Sequence, residues 1–184
     1  MSDKPDSWPR VSSTEIADCR IFKVREDLCE RERDGKRSGF YVIECPNWVN
    51  IIALTPEKDV VLVDQYRYGT EEILMEIPGG IIDGDEDPEL AAKRELLEET
   101  GYSSDNWVLL GKSLPNPAMQ NNSTYHYLAL DCEKTAETAF DEHESLVTKL
   151  KPLSEIGKLV KQGEIAPSQV VCAFYYYDIW ERKI

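Results

Sequence analysis

Glu95, Glu98 and Glu99 lie within five consecutive positions. At about 100° per residue they share one face of a helix. Three carboxylates so placed repel one another, and the Glu95/Glu99 pair alone costs the helix a few tenths of a kcal/mol, roughly. One or more divalent cations with oxygen ligands would offset that cost and put the carboxylates to use. Taken alone, Glu-x-x-Glu-Glu reads as a solvated acidic face. Its surroundings argue for chemistry.

The helix needs ends, and the sequence supplies them. Asp87 can cap its start, because the side chain can accept a first-turn N–H. Pro88 suits the first helical position, where a missing N–H costs nothing. Gly101 suits the left-handed residue that ends the helix. A glycine loop, Gly79-Gly80-Ile81-Ile82-Asp83-Gly84, leads in.

Strands must carry this loop and helix. Trp48–Leu54 and Asp59–Tyr66 are apolar runs joined by Thr55-Pro56-Glu57-Lys58, read as a hairpin whose second run is buried. Trp107–Gly111, Thr124–Leu130 and Leu146–Leu150 read as further strands. Ser154 is expected to cap a helix with Ile156, Leu159 and Val160 on one face and Gly163 at its end. Ser168 is expected to cap the last helix, whose Val171, Phe174, Tyr175 and Ile179 form an apolar stripe read as core. Ahead of these, residues 1 to about 14 read as a ragged tail that Trp8 could anchor. Arg20–Arg25 and Gly39–Glu44 read as two antiparallel strands. The organisation expected is an N-terminal tail and sheet over 1–45, and one domain over 46–184. The fold class is α/β, a sandwich with a mixed sheet plus the small N-terminal antiparallel sheet.

Composition bounds the function. At 184 residues the chain suits one sizeable core. Its net charge of −14 argues against binding a nucleic-acid backbone, which favours a basic stripe. It leaves open a phosphorylated substrate met through metal ions. No apolar run approaches the ~20 residues that span a bilayer, and no secretory leader is visible. The five cysteines include no Cys-x-x-Cys pair, and with two histidines they make no zinc set. Reduced thiols and cytoplasmic residence are expected. Cys172 is read as core.

From Gly80 the pattern runs through Glu86, Arg94-Glu95-Leu96 and Glu98-Glu99 to Gly101. In register it resembles the Nudix box, the signature of the Nudix hydrolases. The departure is Tyr102, where that family usually has an aliphatic residue. The flanks resemble the ADP-ribose pyrophosphatase and nucleoside diphosphate sugar hydrolase branch. They are Gln65-Tyr66-Arg67, the lead-in Met75-Glu76-Ile77-Pro78-Gly79-Gly80, and Pro117, fifteen residues after the box.

The resemblance implies a Nudix α/β/α sandwich and Mg2+, or Mn2+, held by Glu95 and Glu99 with Glu98 completing the set. The Gly79 carbonyl would be a further ligand. Glu86 and Arg94 would form a structural ion pair fixing the loop on the helix. The substrate implied is a nucleoside diphosphate linked to a sugar, and a homodimer built through the N-terminal sheet is usual in that branch. Arg67 is read either as a surface cation or as a diphosphate contact, since a guanidinium matches phosphate oxygens bidentately. Trp48, Phe40 and Tyr41 are candidates to stack on a base. Pro117, Asn121, Asn122 and His126 are candidate contacts to the sugar or its phosphate. A GDP-mannose or other hexose nucleotide is the alternative substrate. A non-catalytic ligand sensor, an mRNA-decapping enzyme and a nucleotide-cleaning enzyme are the alternative functions. The candidates for general base are Glu142, then Glu144, in the acidic loop Asp141-Glu142-His143-Glu144, with Glu98 as the other option. For Glu142, a Glu142→Gln enzyme is expected to lose kcat; near-normal kcat across about pH 6 to 9 would remove it from the role.

Overall fold

The computed structural model describes residues 4–140 and 145–183. They fall into two compact units. One takes in the chain up to Pro46 together with Leu114–Asn122, and the other takes in Asn47–Ser113 and the chain from Ser123.

The first unit is a three-stranded antiparallel meander of β1 (Arg10–Asp18), β2 (Lys23–Glu30) and β3 (Arg37–Glu44), in that order across the sheet. Most of β1 belongs to the stretch expected as a tail. Its side chains explain the difference, since every residue but Ala17 is exposed and no apolar face announces a strand. Pairing with β2 comes from the backbone. Trp8 does anchor the approach: its ring meets Phe40 edge-on at 5.5 Å, and the Arg31 guanidinium lies over it at 5.2 Å. Asp27 is buried and accepts from Arg25 Nε at 3.0 Å, so the sheet carries an ion pair inside. Segment 114–122 joins this unit through the Ile43 N–H, which donates to the Met119 carbonyl at 2.7 Å.

The second unit is layered about its sheets. Its elements are β4 (Trp48–Ala53), β5 (Asp59–Arg67), β6 (Glu72–Glu76), β7 (Gly79–Ile81), α1 (Pro88–Thr100), β8 (Tyr102–Ser103), β9 (Asn106–Ser113), β10 (Thr124–Leu130), β11 (Glu133–Lys134), β12 (Leu146–Pro152), α2 (Leu153–Gln162) and α3 (Ser168–Arg182). One sheet runs β7-β4-β10-β9, mixed because β4 and β10 are parallel, and another runs β12-β5-β6. The hairpin expected of β4 and β5 is therefore corrected. The two strands lie in different sheets and meet at one bridge, Leu54 with Val60. Their apolar centres are buried on both faces, so those runs carried no sign of which neighbour each takes.

Strand alternation sorts the core into two layers. Val49, Ile51 and Ala53 of β4, with Val61 of β5, pack with Ala91, Ala92 and Leu96 of α1. Ile52, Leu54, Val60 and Leu62 point the other way and pack with Ile156 and Leu159 of α2 and Val170, Ala173 and Tyr177 of α3. The result is helix, sheet, helix. The stripe on α3 is rotated from the expected one: Val171 and Tyr175 are exposed, while Val170, Ala173 and Tyr177 are buried. Small Ala173 brings the helix close to the sheet, and the larger aromatics turn partly outward. Cys172 is accordingly half-buried rather than core. Neither serine caps its helix: Pro152 and Pro167 stand at the N-caps and make no side-chain cap bond. Among the described residues no helix is long and apolar enough to cross a membrane.

The ends of α1 are as expected. Asp87 Oδ1 accepts the N–H groups of Glu89 and Leu90 at 2.9 and 3.3 Å, and Pro88 opens the helix. Gly101 sits at φ 74° and donates its N–H to the Leu97 carbonyl at 2.8 Å. A Cβ there would also overlap the Ala136 carbonyl oxygen. Gly101→Ala is expected to destabilise the protein by more than about 1 kcal/mol, read as a lower urea midpoint at unchanged slope.

Candidate active site

Helix α1 turns its acids in toward β7, and two glycines decide how closely they approach. Gly80 pairs with Val49, so it faces the helix. A Cβ on Gly80 would overlap the Glu95 carboxylate, and the carboxylate occupies the space that the missing side chain leaves. Gly79 donates its N–H to Glu99 Oε2 at 3.0 Å. Glu99 is 3% exposed. A carboxylate so buried costs several kcal/mol, roughly, unless it is hydrogen-bonded or paired. The Gly79 N–H supplies such a bond, so the backbone of β7 holds the buried carboxylate in place. Glu98 is the most open of the three, with its side chain 44% exposed.

Arg94 holds the group together. Nη1 donates to Glu95 at 2.9 Å and to Glu98 at 3.2 Å. Nη2 donates to Glu86 and to the Ile81 carbonyl, each at 3.1 Å, and Nε donates to Glu86 at 3.3 Å. The Arg94 hydrogen bonds hold the Glu86 carboxyl below its usual range, and the same pairing raises Arg94 further above its own. Glu86 also accepts the Asp83 N–H at 3.4 Å, which ties the turn before the helix to the helix itself.

The donor set is carboxylate oxygen, the kind a hard divalent cation takes. Glu86, Glu95 and Glu98 share one arginine and Glu99 lies beside Gly79, so the cluster carries excess negative charge. By donor type, charge and the Gly80 cradle, the residues fit such an ion. In the arrangement seen, Glu95 and Glu98 turn to Arg94, and among the described residues no three acidic, histidine or cysteine side chains converge on one point.

The other candidates scatter. Arg67 ends β5 on the α1 side of its sheet, sharing the parity of Val61. Its Nε and Nη2 donate to Glu76 at 2.6 and 3.1 Å. Trp48 opens β4 with the parity of Ile52, which places it on the α2/α3 face rather than with the carboxylates. In the first unit, Pro117 is exposed. Asn121 Oδ1 there accepts the Cys45 N–H at 3.1 Å, and buried Asn122 donates to the Pro46 carbonyl at 2.9 Å. The Asn122 amide thus secures chain against chain and presents nothing to solvent. Phe40 is taken up by Trp8, while Tyr41 stays exposed. Glu142 and Glu144 lie outside the described residues.

Sequence reasoning did not single out Glu76, the buried partner of Arg67. Its signal was a carboxylate between Met75 and Ile77 in a run otherwise apolar. A groove of the second unit, about 730 Å3, is lined by Leu153, Ile156, Val160, Val171, Phe174 and Tyr175, with no residue of α1. Its apolar floor does not suit a charged ligand.

Known proteins share this architecture. The family model described as NUDIX domain matches residues 47–174. A methanol dehydrogenase activator from Bacillus methanolicus is 31% identical over 93% of this chain and 92% of its own. An ADP-ribose pyrophosphatase from Bacillus subtilis is 29% identical over 80% of each chain. A GDP-mannose pyrophosphatase from Salmonella typhimurium is 27% identical over 85% of this chain and 86% of its own. A crystal structure of an ADP compounds hydrolase superposes with a TM-score of 0.87, covering 99% of this chain and 98% of that one at 23% identity. At that identity the likeness speaks for the fold.

His126, read as a candidate sugar contact, lies elsewhere. It is fully buried on β10 with the parity of Leu128, facing α3. Ser113 Oγ donates to Gln169 Oε1 at 3.0 Å and lies 2.8 Å from His126 Nε2, so Nε2 carries the proton. The Tyr176 ring stacks at 5.4 Å. Burial pushes His126 down to about 4. Between its ordinary value and that one, the unfolded chain binds more protons than the folded one, so stability falls as pH drops through the window. Unfolding free energies from urea titrations are expected to fall by on the order of 1–3 kcal/mol between about pH 6.5 and pH 4, a loss that shrinks in His126→Gln. An equal loss in the variant would exclude His126 as its source.

Proposed function

The chain belongs to the Nudix family, and from that membership we propose that it is a Mg2+-dependent hydrolase of the diphosphate bond in nucleoside diphosphate sugars of the ADP-ribose kind. The products are a nucleoside monophosphate and a sugar phosphate. The observation that carries this reading is the buried Glu99 held by the Gly79 N–H beside the cradled Glu95. A fold that maintains two such carboxylates side by side has a use for their charge.

Glu95, Glu98 and Glu99 would hold the metal, with the Gly79 carbonyl as a further oxygen. Bound there, divalent ions neutralise diphosphate oxygens and lower the pKa of a water. The remaining tasks belong to the chain. Gly79 and Gly80 fix Glu99 and Glu95 by backbone N–H and by close approach. Arg94 and Glu86 keep the loop on the helix. Glu98, the most exposed acid, is placed to change partners, from Arg94 to metal or to a water's proton. Glu142 and Glu144 remain the proposed alternatives for the base. Arg67, on the same side of the sheets as α1, is assigned to the diphosphate.

The relatives named above support both an ADP-ribose and a GDP-mannose preference, so the hexose nucleotide is the second reading. The protein supplied with Mg2+ is expected to release sugar phosphate from ADP-ribose. Chelation should remove the activity, and Glu99→Gln should lower kcat by at least about 100-fold. GDP-mannose tested alongside separates the two substrates. No turnover across a broad panel of nucleoside diphosphate compounds would overturn the enzymatic reading.

A further inference from the structure

We infer that Glu76 is a positioning residue that aims the Arg67 guanidinium at the diphosphate, which rests on the proposed role of Arg67. Three observations meet on it. First, Glu76 lies inside the protein, its side chain 10% exposed against 45% for Arg67. Second, both carboxylate oxygens are used on one cation: Oε1 takes Arg67 Nε at 2.6 Å and Oε2 takes Nη2 at 3.1 Å. This fork-to-fork arrangement fixes the plane of the guanidinium as well as its position. Third, Glu76 stands at the end of a rigid run that reaches the carboxylate site. It pairs with Val63 in the sheet. Ile77 and Pro78 behind it are buried, and the Pro78 carbonyl accepts the Ile51 N–H at 2.8 Å. Gly79 then donates to Glu99.

Surface pairing does not account for this. A half-exposed arginine can meet an acid at the surface at little cost, whereas a buried carboxylate must be desolvated first. A guanidinium swinging at a strand end would have to be ordered when the substrate binds. Glu76 orders it beforehand, with Arg67 and Glu76 on the face of the sheet that packs on α1. The benefit falls on binding the diphosphate rather than on the chemical step.

The experiment compares Glu76→Gln, Glu76→Asp, Arg67→Ala and the double variant Glu76→Gln/Arg67→Ala in the full chain. KM and kcat are measured for the nucleotide sugar turned over, and Kd for inorganic pyrophosphate is measured by calorimetry as a probe independent of turnover. Glu76→Gln is expected to raise KM and the pyrophosphate Kd about 10-fold, with kcat within about 2-fold of the parent. Glu76→Asp, which keeps the charge, should recover part of that loss. Adding Glu76→Gln to Arg67→Ala should change neither constant further. If Arg67→Ala raises KM while Glu76→Gln does not, the positioning role is overturned and the diphosphate role of Arg67 stands. If neither variant moves KM or Kd, both fall. If Glu76→Gln lowers the melting temperature but leaves KM and Kd unchanged, Glu76 is a stability residue and the inference is wrong. Should Glu76→Gln fail to fold, Glu76→Asp decides by the same two constants.

Discussion

Like charge on one helical face is the constraint the site is built around. Glu95, Glu98 and Glu99 would push α1 apart from its own sheet if nothing met them. The structure meets them with one guanidinium and two glycines. Arg94 spreads its donors over Glu86, Glu95, Glu98 and the Ile81 carbonyl. Gly79 offers an N–H to Glu99, and Gly80 offers the absence of a side chain. Short β7 therefore does two jobs. It closes the edge of the mixed sheet on β4, and it presents bare backbone to the acids. The charge is concentrated and then contained, which is the state a cation-binding site needs before its ion arrives.

Sidedness explains what the rest of the second unit contributes. Strands β4, β5 and β10 send alternate residues to α1 and to the α2/α3 pair. Parity along a strand thus decides whether a polar residue can serve the carboxylates. Arg67 and Glu76 have the parity of Val61 and Val63 and face α1. His126 and Trp48 have the opposite parity and face the other layer. His126 was expected as a contact to the sugar or its phosphate. Here it is a neutral core group tied to Ser113 and stacked on Tyr176.

The sequence made the chemistry of α1 readable because each constraint there has one local solution. Asp87, Pro88 and Gly101 end a helix by backbone rules that need no neighbours. The Glu86–Arg94 pair is eight residues apart and spans the start of the same helix. Pairings between distant segments were less readable. The apolar centres of β4 and β5, Ile51–Ala53 and Val60–Val63, are alike, so nothing in those side chains told a hairpin from two strands in separate sheets. The α3 stripe was expected from aromatics at helical spacing, whereas the core takes Val170, Ala173 and Tyr177. Strand β1 was invisible because its side chains bury almost nothing. Glu76 was visible as a letter but not as a partner, since a sequence does not show which arginine a buried carboxylate will meet.

The outer strand of the N-terminal sheet has one more consequence. β1 carries two register irregularities, between Arg10 and Ser12 and between Glu15 and Ala17. Arg10, Glu15 and Asp18 are spread along it. Breaks of this kind twist a strand and leave its outer backbone groups out of step with any flat template. Such a border does not readily accept another ribbon alongside, so runaway cross-strand stacking is blocked at that margin. The exposed Val11, Ile16 and Tyr41 side chains belong to the broad surfaces of the meander. At the β1 margin, then, the sheet is not readily lengthened by a further strand.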